Sequence, residues 1–141
     1  SGQFSHLYLL CGEEAYLRRQ YRDKLRAALV PAEDTMNCSV YSGKDINAGE
    51  VVDLAGTMPF FAERRVIIIE NSGWLKNGND QFLALVKAIP DTTYLILVEE
   101  ETDKRSKLYK AVTANGYAAL CEIQDEATLR KWVMGLLKTE N

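Results

Sequence analysis

Apolar positions along the chain fall into five short runs separated by helical patterns. The runs are residues 6–11, 38–41, 65–70, 94–99 and 118–123. Between them, apolar residues recur every three to four positions, which is the spacing of an amphipathic helix. Continuously apolar runs such as residues 66–69 are typical of parallel strands that helices cover on both faces. The pattern therefore predicts an α/β fold, a three-layer sandwich around a five-stranded parallel sheet.

The ends of the predicted helices are marked by capping and stop residues. Five helices are predicted. The first covers residues 13–29, the second begins at about residue 48, and the third follows residues 79–80. The fourth begins near residues 102–103, and the fifth follows residue 125. Asn47 suits the start of the second helix, because an Asn side chain accepts a hydrogen bond from a free helical N–H. Gly116 suits a left-handed stop after the fourth helix. Residues 71–80 are polar and contain glycine, which predicts a surface loop.

Length and composition indicate one ordinary globular domain. The chain has 141 residues, a hydrophobic fraction of 47% and a net charge of −3. No apolar run approaches the roughly 20 residues of a membrane span, so we expect no membrane contact. Cys11, Cys38 and Cys121 are widely spaced, and we interpret them as small core residues of a cytoplasmic protein without a disulfide framework or zinc site. His6 is the single histidine, and we expect it to be structural or part of a linker.

The two ends of the sequence suggest a piece of a longer protein. Ser1 and Gly2 look like the remnant of a tag. At the other end, an apolar stripe predicts a last helix that runs to Asn141 without a glycine or proline stop. We therefore interpret residues 1–141 as a single N-terminal domain, with further domains following in the full protein.

The loop after the first strand is where an open α/β sheet would bind a nucleotide. Here Gly12 is followed by Glu13 and Glu14, whose carboxylates would repel a phosphate at this helix start. We interpret these three residues as a degenerate nucleotide loop. Residues 99–101 are all Glu, and could either bind a divalent cation or form a solvated strand end. We predict no catalytic residues, metal ligands or cofactor; the alternative is a nucleotide-binding α/β switch or enzyme domain.

A short apolar segment before the third strand is the most unusual feature of the sequence. It consists of Met58, Pro59, Phe60 and Phe61. Adjacent side chains diverge by about 100° in a helix and about 180° in a strand, so two neighbouring phenylalanines do not both point inward easily. Either both rings tuck under the sheet edge through a bend at Pro59, or one protrudes as an apolar wedge for a partner's pocket.

Basic residues cluster locally on two of the predicted helices. They are Arg18, Arg19, Arg22, Lys24 and Arg26 on the first, and Lys104, Arg105, Lys107 and Lys110 on the fourth. Solvated helix faces with intervening acids are the simpler interpretation, and a DNA-binding groove is the alternative.

Three motifs, in this order, resemble one known family. They are LLCGEEAYL at residues 9–17, MPFFAERRV at residues 58–66 and DKRSKLYK at residues 103–110. Together they are similar to the N-terminal domain of the delta subunits of bacterial DNA polymerase III clamp loaders, over nearly the whole chain. Ala15 departs from the family, which often has proline there.

The resemblance implies a fold of the AAA+ or P-loop NTPase type that has lost nucleotide binding. In this family the domain binds the ring-shaped DNA sliding clamp, the beta subunit, and opens it during DNA replication without binding ATP itself. The clamp-binding wedge carries over to Met58, Pro59, Phe60 and Phe61. Further implied partners are the other clamp-loader subunits, through a C-terminal domain absent from this chain, with DNA contacted mainly indirectly.

Overall fold

In the part of the chain that the structure describes, a parallel sheet is flanked by five helices. The computed structural model describes residues 5–11, 15–30, 36–60 and 62–119. The strands are β1 (Leu7–Cys11), β2 (Cys38–Ser42), β3 (Arg65–Glu70), β4 (Thr93–Glu99) and β5 (Tyr117–Ala119). The helices are α1 (Ala15–Leu29), α2 (Ala48–Ala55), α3 (Trp74–Asn77), α4 (Asp80–Val86) and α5 (Lys107–Asn115). The predicted last helix and the end of the predicted fifth strand lie outside the described residues.

The strand order across the sheet is β2-β3-β4-β1-β5. All neighbouring strands run parallel, with Ile67 opposite Leu95 and Leu9 opposite Leu97. Every strand therefore begins at one edge of the sheet, the amino edge, and ends at the other, the carboxyl edge. The predicted five-stranded parallel sheet is confirmed.

Helices cover both faces of the sheet, because successive side chains of each strand point to opposite sides. One face, with Leu9, Ile67 and Leu97, packs against α2, α4 and α5. The other, with Leu10 and Ile68, packs against α1. Burial of each such side chain contributes roughly 1.5–3 kcal/mol. The three-layer arrangement predicted from the apolar runs is confirmed.

Side-chain caps begin three of the helices. Asn47 accepts from the N–H of Glu50, and Asn79 accepts from the N–H of Phe82, as expected from the sequence. The predicted start near residues 102–103 is wrong, since α5 begins at residue 107 with Ser106 as its cap. The Ser106 hydroxyl accepts from the N–H of Tyr109 at 3.1 Å and donates to the carbonyl of Leu75 at 3.0 Å. That second bond anchors the start of α5 to α3.

The segment predicted as a surface loop contains the short helix α3 and is partly buried. Trp74 and Leu75 are almost fully enclosed, and the Trp74 ring lies 5.0 Å from that of Phe82. Two apolar residues between Gly73 and Gly78 are too few to show helical periodicity, which is why the surface-loop prediction missed this helix.

Gly116 ends α5, although without the left-handed conformation expected of it. Its φ is −151°, which is extended backbone. A Cβ at this position would lie 2.4 Å from the carbonyl oxygen of Leu7. Glycine is therefore required by the close approach of β1.

The cysteines depart from the sequence expectation in one respect. Cys11 is buried at the end of β1, as expected of a core residue, but it is disulfide-bonded, which the sequence analysis did not predict. Cys38 is free and half-buried. Among the helices described, none has the length and apolar character needed to cross a membrane.

Candidate functional site

Met58, Pro59 and Phe60 form an exposed apolar projection, which we call the knob. Met58 is 73% exposed and Phe60 is 53% exposed, while Pro59 is half-buried. Most large apolar side chains of the described chain are buried, whereas these two are exposed on either side of Pro59, so the segment is a candidate contact surface. Phe61, the fourth residue of the predicted wedge, lies outside the described residues.

The knob lies at the amino edge of the sheet, between the end of α2 and the start of β3. The chain leaves α2 through a turn in which Thr57 donates its N–H to the carbonyl of Leu54 at 3.0 Å. Its hydroxyl donates to the carbonyl of Asp53, also at 3.0 Å. Met58 and Phe60 follow this turn, and their exposure shows that neither side chain is packed under the sheet.

Arg65 supports the knob from within. It is only 5% exposed, although its guanidinium is charged. Nε donates to the carbonyl of Thr57 at 3.1 Å, and a terminal nitrogen donates to the carbonyl of Met58 at 3.0 Å. Its backbone N–H also donates to the carbonyl of Thr92 at 2.8 Å. The first residue of β3 thereby fixes the first half of the knob.

Asn37 supports the second half of the knob. Its side chain is 1% exposed and bonds the backbone of one residue twice. Oδ1 accepts from the N–H of Phe60 at 2.6 Å, and Nδ2 donates to the carbonyl of Phe60 at 2.7 Å. The Asn37 backbone carbonyl accepts from the N–H of Val66 at 2.7 Å. Sequence analysis singled out neither Asn37 nor the burial of Arg65, because only tertiary contacts reveal them.

An aromatic stack lies at the same edge. His6 stacks on Tyr94 with ring centroids 4.4 Å apart, and its Nδ1 lies 2.9 Å from the carbonyl oxygen of Thr93. The guanidinium of Arg64 lies over the Tyr94 ring, 5.6 Å from its centroid. It also donates a hydrogen bond to the carbonyl of Leu29. His6 thus has the structural role expected of it.

The carboxyl edge is where the degenerate nucleotide loop was predicted, and Gly12, Glu13 and Glu14 lie outside the described residues. The interpretation of residues 99–101 as a solvated strand end is wrong for Glu99, which is fully buried. Its carboxylate accepts three bonds, from the N–H and hydroxyl of Ser72 and from the N–H of Gly73. Burial raises the pKa of Glu99, and these bonds partly oppose the rise.

Glu101 is solvent-exposed, as expected, and forms ion pairs. It binds Lys76 at 3.0 Å and Lys44 at 3.2 Å. Hydrogen bonds from Lys76 and then Lys44 lower the pKa of Glu101. Within the described residues, no three His, Cys, Asp or Glu side chains converge as they would around a metal ion.

Several basic residues of the two predicted clusters are engaged by acids or buried. Arg22 pairs with Glu70 and Asp23. Arg105 pairs with Asp103 at 3.2 Å, and Arg18 is 5% exposed. A groove that neutralises phosphates needs exposed cations. The burial of Arg18 and the ion pairs of Arg22 count against such a groove on α1, whereas Lys104, Lys107 and Lys110 are exposed, and direct DNA binding stays the alternative there.

Comparison with known proteins gives consistent matches over nearly the whole chain. The family model described as "DNA polymerase III, delta subunit" matches residues 8–122. The DNA polymerase III subunit delta of Bacillus subtilis (strain 168) is 26% identical over 151 residues, which is 99% of this chain and 44% of that protein.

Two solved structures are similar in fold. The Bacillus subtilis DNA clamp loader delta protein matches with a TM-score of 0.74 and 26% identity, over 83% of this chain and 38% of that one. A DNA polymerase III gamma subunit-related protein from Thermotoga maritima matches with a TM-score of 0.62 and 12% identity, over 96% of this chain and 54% of that one. The second likeness concerns the fold alone. The chain spans less than half the length of its two delta relatives.

Proposed function

Because the chain belongs to the DNA polymerase III delta subunit family, we propose that it binds and opens the DNA sliding clamp during replication, without binding ATP itself. The observation that carries the proposal is the knob, in which Met58 and Phe60 are 73% and 53% exposed. Apolar side chains on a fixed backbone suit insertion into a pocket of a partner.

The knob offers affinity concentrated in a few side chains. When an aromatic residue that enters a desolvated pocket is replaced by alanine, the binding free energy typically weakens by roughly 2–4 kcal/mol. Met58 adds a flexible apolar side chain that adapts to an irregular pocket. With Phe61 as the fourth member, the proposed site is Met58, Pro59, Phe60 and Phe61.

Clamp opening follows from differential affinity. A ligand shifts a two-state equilibrium only as far as it binds one state more tightly than the other. We therefore assign to the knob a preference for the clamp conformation in which one ring interface is open. The domain needs no chemical step for this, and in our proposal it has no catalytic residues.

The arrangement at the carboxyl edge supports the part of the proposal that concerns ATP. Glu99 is directed at the backbone of Ser72 and Gly73 and is not presented to solvent. In an ATPase of this fold class, carboxylates near this edge hold Mg²⁺ and orient water. We propose that Gly12, Glu13 and Glu14 form a turn that does not bind nucleotide.

The remaining partners belong to the full-length protein in this proposal. The delta relatives are more than twice as long as the part of them that matches this chain. We assign contacts with the other clamp-loader subunits to the segment that follows this domain. Contact with DNA is then mainly indirect, through the clamp and those subunits.

Binding of the purified chain to a bacterial sliding clamp tests the proposal directly. Calorimetry should give a dissociation constant in the micromolar range or tighter. A micromolar constant corresponds to a binding free energy of about −8 kcal/mol. The double variant Phe60→Ala/Phe61→Ala should lose most of this affinity while remaining folded. Tyr16→Ala is the matched control, because Tyr16 is 62% exposed but lies in the first turn of α1, at the opposite edge. Unchanged binding by the double variant would exclude the knob as the clamp-binding site.

A nucleotide-binding switch or enzyme is the competing function, and it makes a different prediction. A fluorescent ATP analogue titrated with Mg²⁺ should show no saturable binding to the chain. Saturable binding would contradict the proposal that the domain does not bind ATP. Direct DNA binding through α1 and α5 is tested on a DNA column at low salt, where retention that falls steeply with salt would indicate phosphate contacts.

A further inference from the structure

The knob reverses the usual distribution of polar and apolar groups. Two polar side chains, Asn37 and Arg65, are 1% and 5% exposed, while Met58 and Phe60 are largely in solvent. Hydrophobic burial alone would draw Met58 and Phe60 inward, and burial of a polar group is tolerated only when it is hydrogen-bonded. The polar contacts therefore oppose collapse of the knob onto the domain.

The bonds made by Asn37 define the conformation of a single residue. Its amide accepts from the N–H and donates to the carbonyl of Phe60, at 2.6 and 2.7 Å. Fixing the peptide groups on both sides of Phe60 fixes its φ and ψ, and hence the direction of its Cα–Cβ bond. Because Asn37 is itself held to β3 through the N–H of Val66, the Phe60 side chain is aimed relative to the sheet.

Arg65 acts in the same way on the preceding residues. Its planar guanidinium donates to two successive carbonyls, those of Thr57 and Met58, at 3.1 and 3.0 Å. A Lys ammonium is a single point donor and does not reproduce this fork. Asn37 and Arg65 thus hold the two halves of the knob from opposite ends of the segment.

We propose that Asn37 and Arg65 are positioning residues, which hold the knob in its binding orientation before the sliding clamp arrives. This inference rests on the proposed function. Its physical basis is preorganisation: a segment that is already ordered does not lose conformational entropy on binding, so more of the contact energy appears as affinity.

The experiment compares Asn37→Ala with the wild type in two measurements. Hydrogen exchange reports on the Phe60 N–H, which should exchange about 10-fold faster or more once its acceptor is removed. Calorimetry with the sliding clamp should show affinity about 10-fold weaker, in line with two lost bonds to the Phe60 backbone. Both are measured at a temperature where circular dichroism shows the variant to be folded.

Two further variants separate positioning from a general loss of stability. Ser72→Ala is the matched control, because it also removes two side-chain bonds of a buried residue, to Glu99 and Trp74, but at the carboxyl edge. It should leave clamp affinity unchanged. In a double-mutant cycle, Asn37→Ala should have no further effect on binding once Phe60 is Ala, because Asn37 acts through Phe60.

Asn37→Asp is the second variant if the alanine variant does not fold. It keeps an acceptor for the Phe60 N–H but places a carboxylate oxygen against the Phe60 carbonyl. It should therefore keep Phe60 exchange slow and still weaken binding.

Three results would overturn the positioning role. The first is an unchanged exchange rate of the Phe60 N–H in Asn37→Ala, and the second is an unchanged affinity of this variant for the clamp. The third is that Asn37→Ala weakens clamp binding as much in the Phe60→Ala background as in the wild type. A wild-type chain that fails to bind the clamp would overturn the proposed function as well, so the two failures are distinguishable.

Discussion

The carboxylate of Glu99 accepts hydrogen bonds from both the N–H and the hydroxyl of Ser72, at 3.1 and 3.0 Å. These bonds connect the end of β4 to the segment that follows β3, at the carboxyl edge. The N–H of Trp74 in turn donates to the Ser72 hydroxyl at 3.1 Å. A buried carboxylate thereby organises the entry into α3.

We expect Glu99 to make stability depend on pH. Burial raises its pKa in the folded state, so the folded protein holds this proton more tightly than the unfolded chain. The resulting stability is fully present below the unfolded pKa and is lost as the pH rises through the folded pKa. The slope from this one group is at most about 1.4 kcal/mol per pH unit.

Urea unfolding of the wild type and Glu99→Gln at several pH values measures this dependence. Gln is neutral throughout, so the free energy of unfolding of the wild type minus that of the variant should decrease as the pH rises above the ordinary Glu value. A difference that stays constant with pH would contradict the assignment. Glu100→Gln, at the neighbouring exposed position, controls for general charge effects.

Gly116→Ala should destabilise the protein by about 2 kcal/mol or more, because the new Cβ would overlap the carbonyl of Leu7. The distance of 2.4 Å leaves no room without movement of β1. Gly56→Ala is the matched control, since its Cβ would meet nothing closer than 3.7 Å and its φ of −83° suits any residue. Thermal unfolding of both variants makes the comparison, and equal midpoints would contradict it.

Ser106→Ala should cost about 1–2 kcal/mol, since it removes both the helix cap and the bond to Leu75. Ser106→Thr keeps the hydroxyl and should restore most of that loss. Chemical denaturation measures both variants. If the alanine variant were as stable as the wild type, the cap would not be important for α5.

Truncation of two phenylalanines should change the stability by very different amounts. Phe82 is fully buried, and Phe60 is 53% exposed. Phe82→Ala should lower the free energy of unfolding by about 3–5 kcal/mol, whereas Phe60→Ala should change it by about 0.5 kcal/mol or less. Denaturant titrations give both values. A large loss for Phe60→Ala would indicate that its ring supports the fold.

The sheet could be predicted from the sequence because its strands are continuous apolar runs. Strand β3 has the predicted bounds, and Asn47 and Asn79 cap the helices that follow them. The exposed knob agrees with the interpretation of residues 58–61 as a protruding segment for the part that is described. In these places the local pattern is sufficient, since the period and the cap residue are both encoded within a few positions.

The contacts that hold the site could not be predicted in this way. Asn37 and Phe60 are 23 residues apart, and nothing in the residues around Asn37 indicates a tertiary bond. Glu99 is the first of three consecutive glutamates, a pattern that normally indicates solvent. Its burial depends on Ser72 and Gly73, which arrive from a different part of the chain.

Four residues separate the knob from strand β3, which is paired along its length with β2 on one side and β4 on the other. A pull on the knob along the strand axis would load both ladders in shear, so that many hydrogen bonds share the force at once. The same force applied across an edge strand would separate its bonds one after another. The attachment of the knob to β3 therefore makes it mechanically strong against a pull along the strand axis.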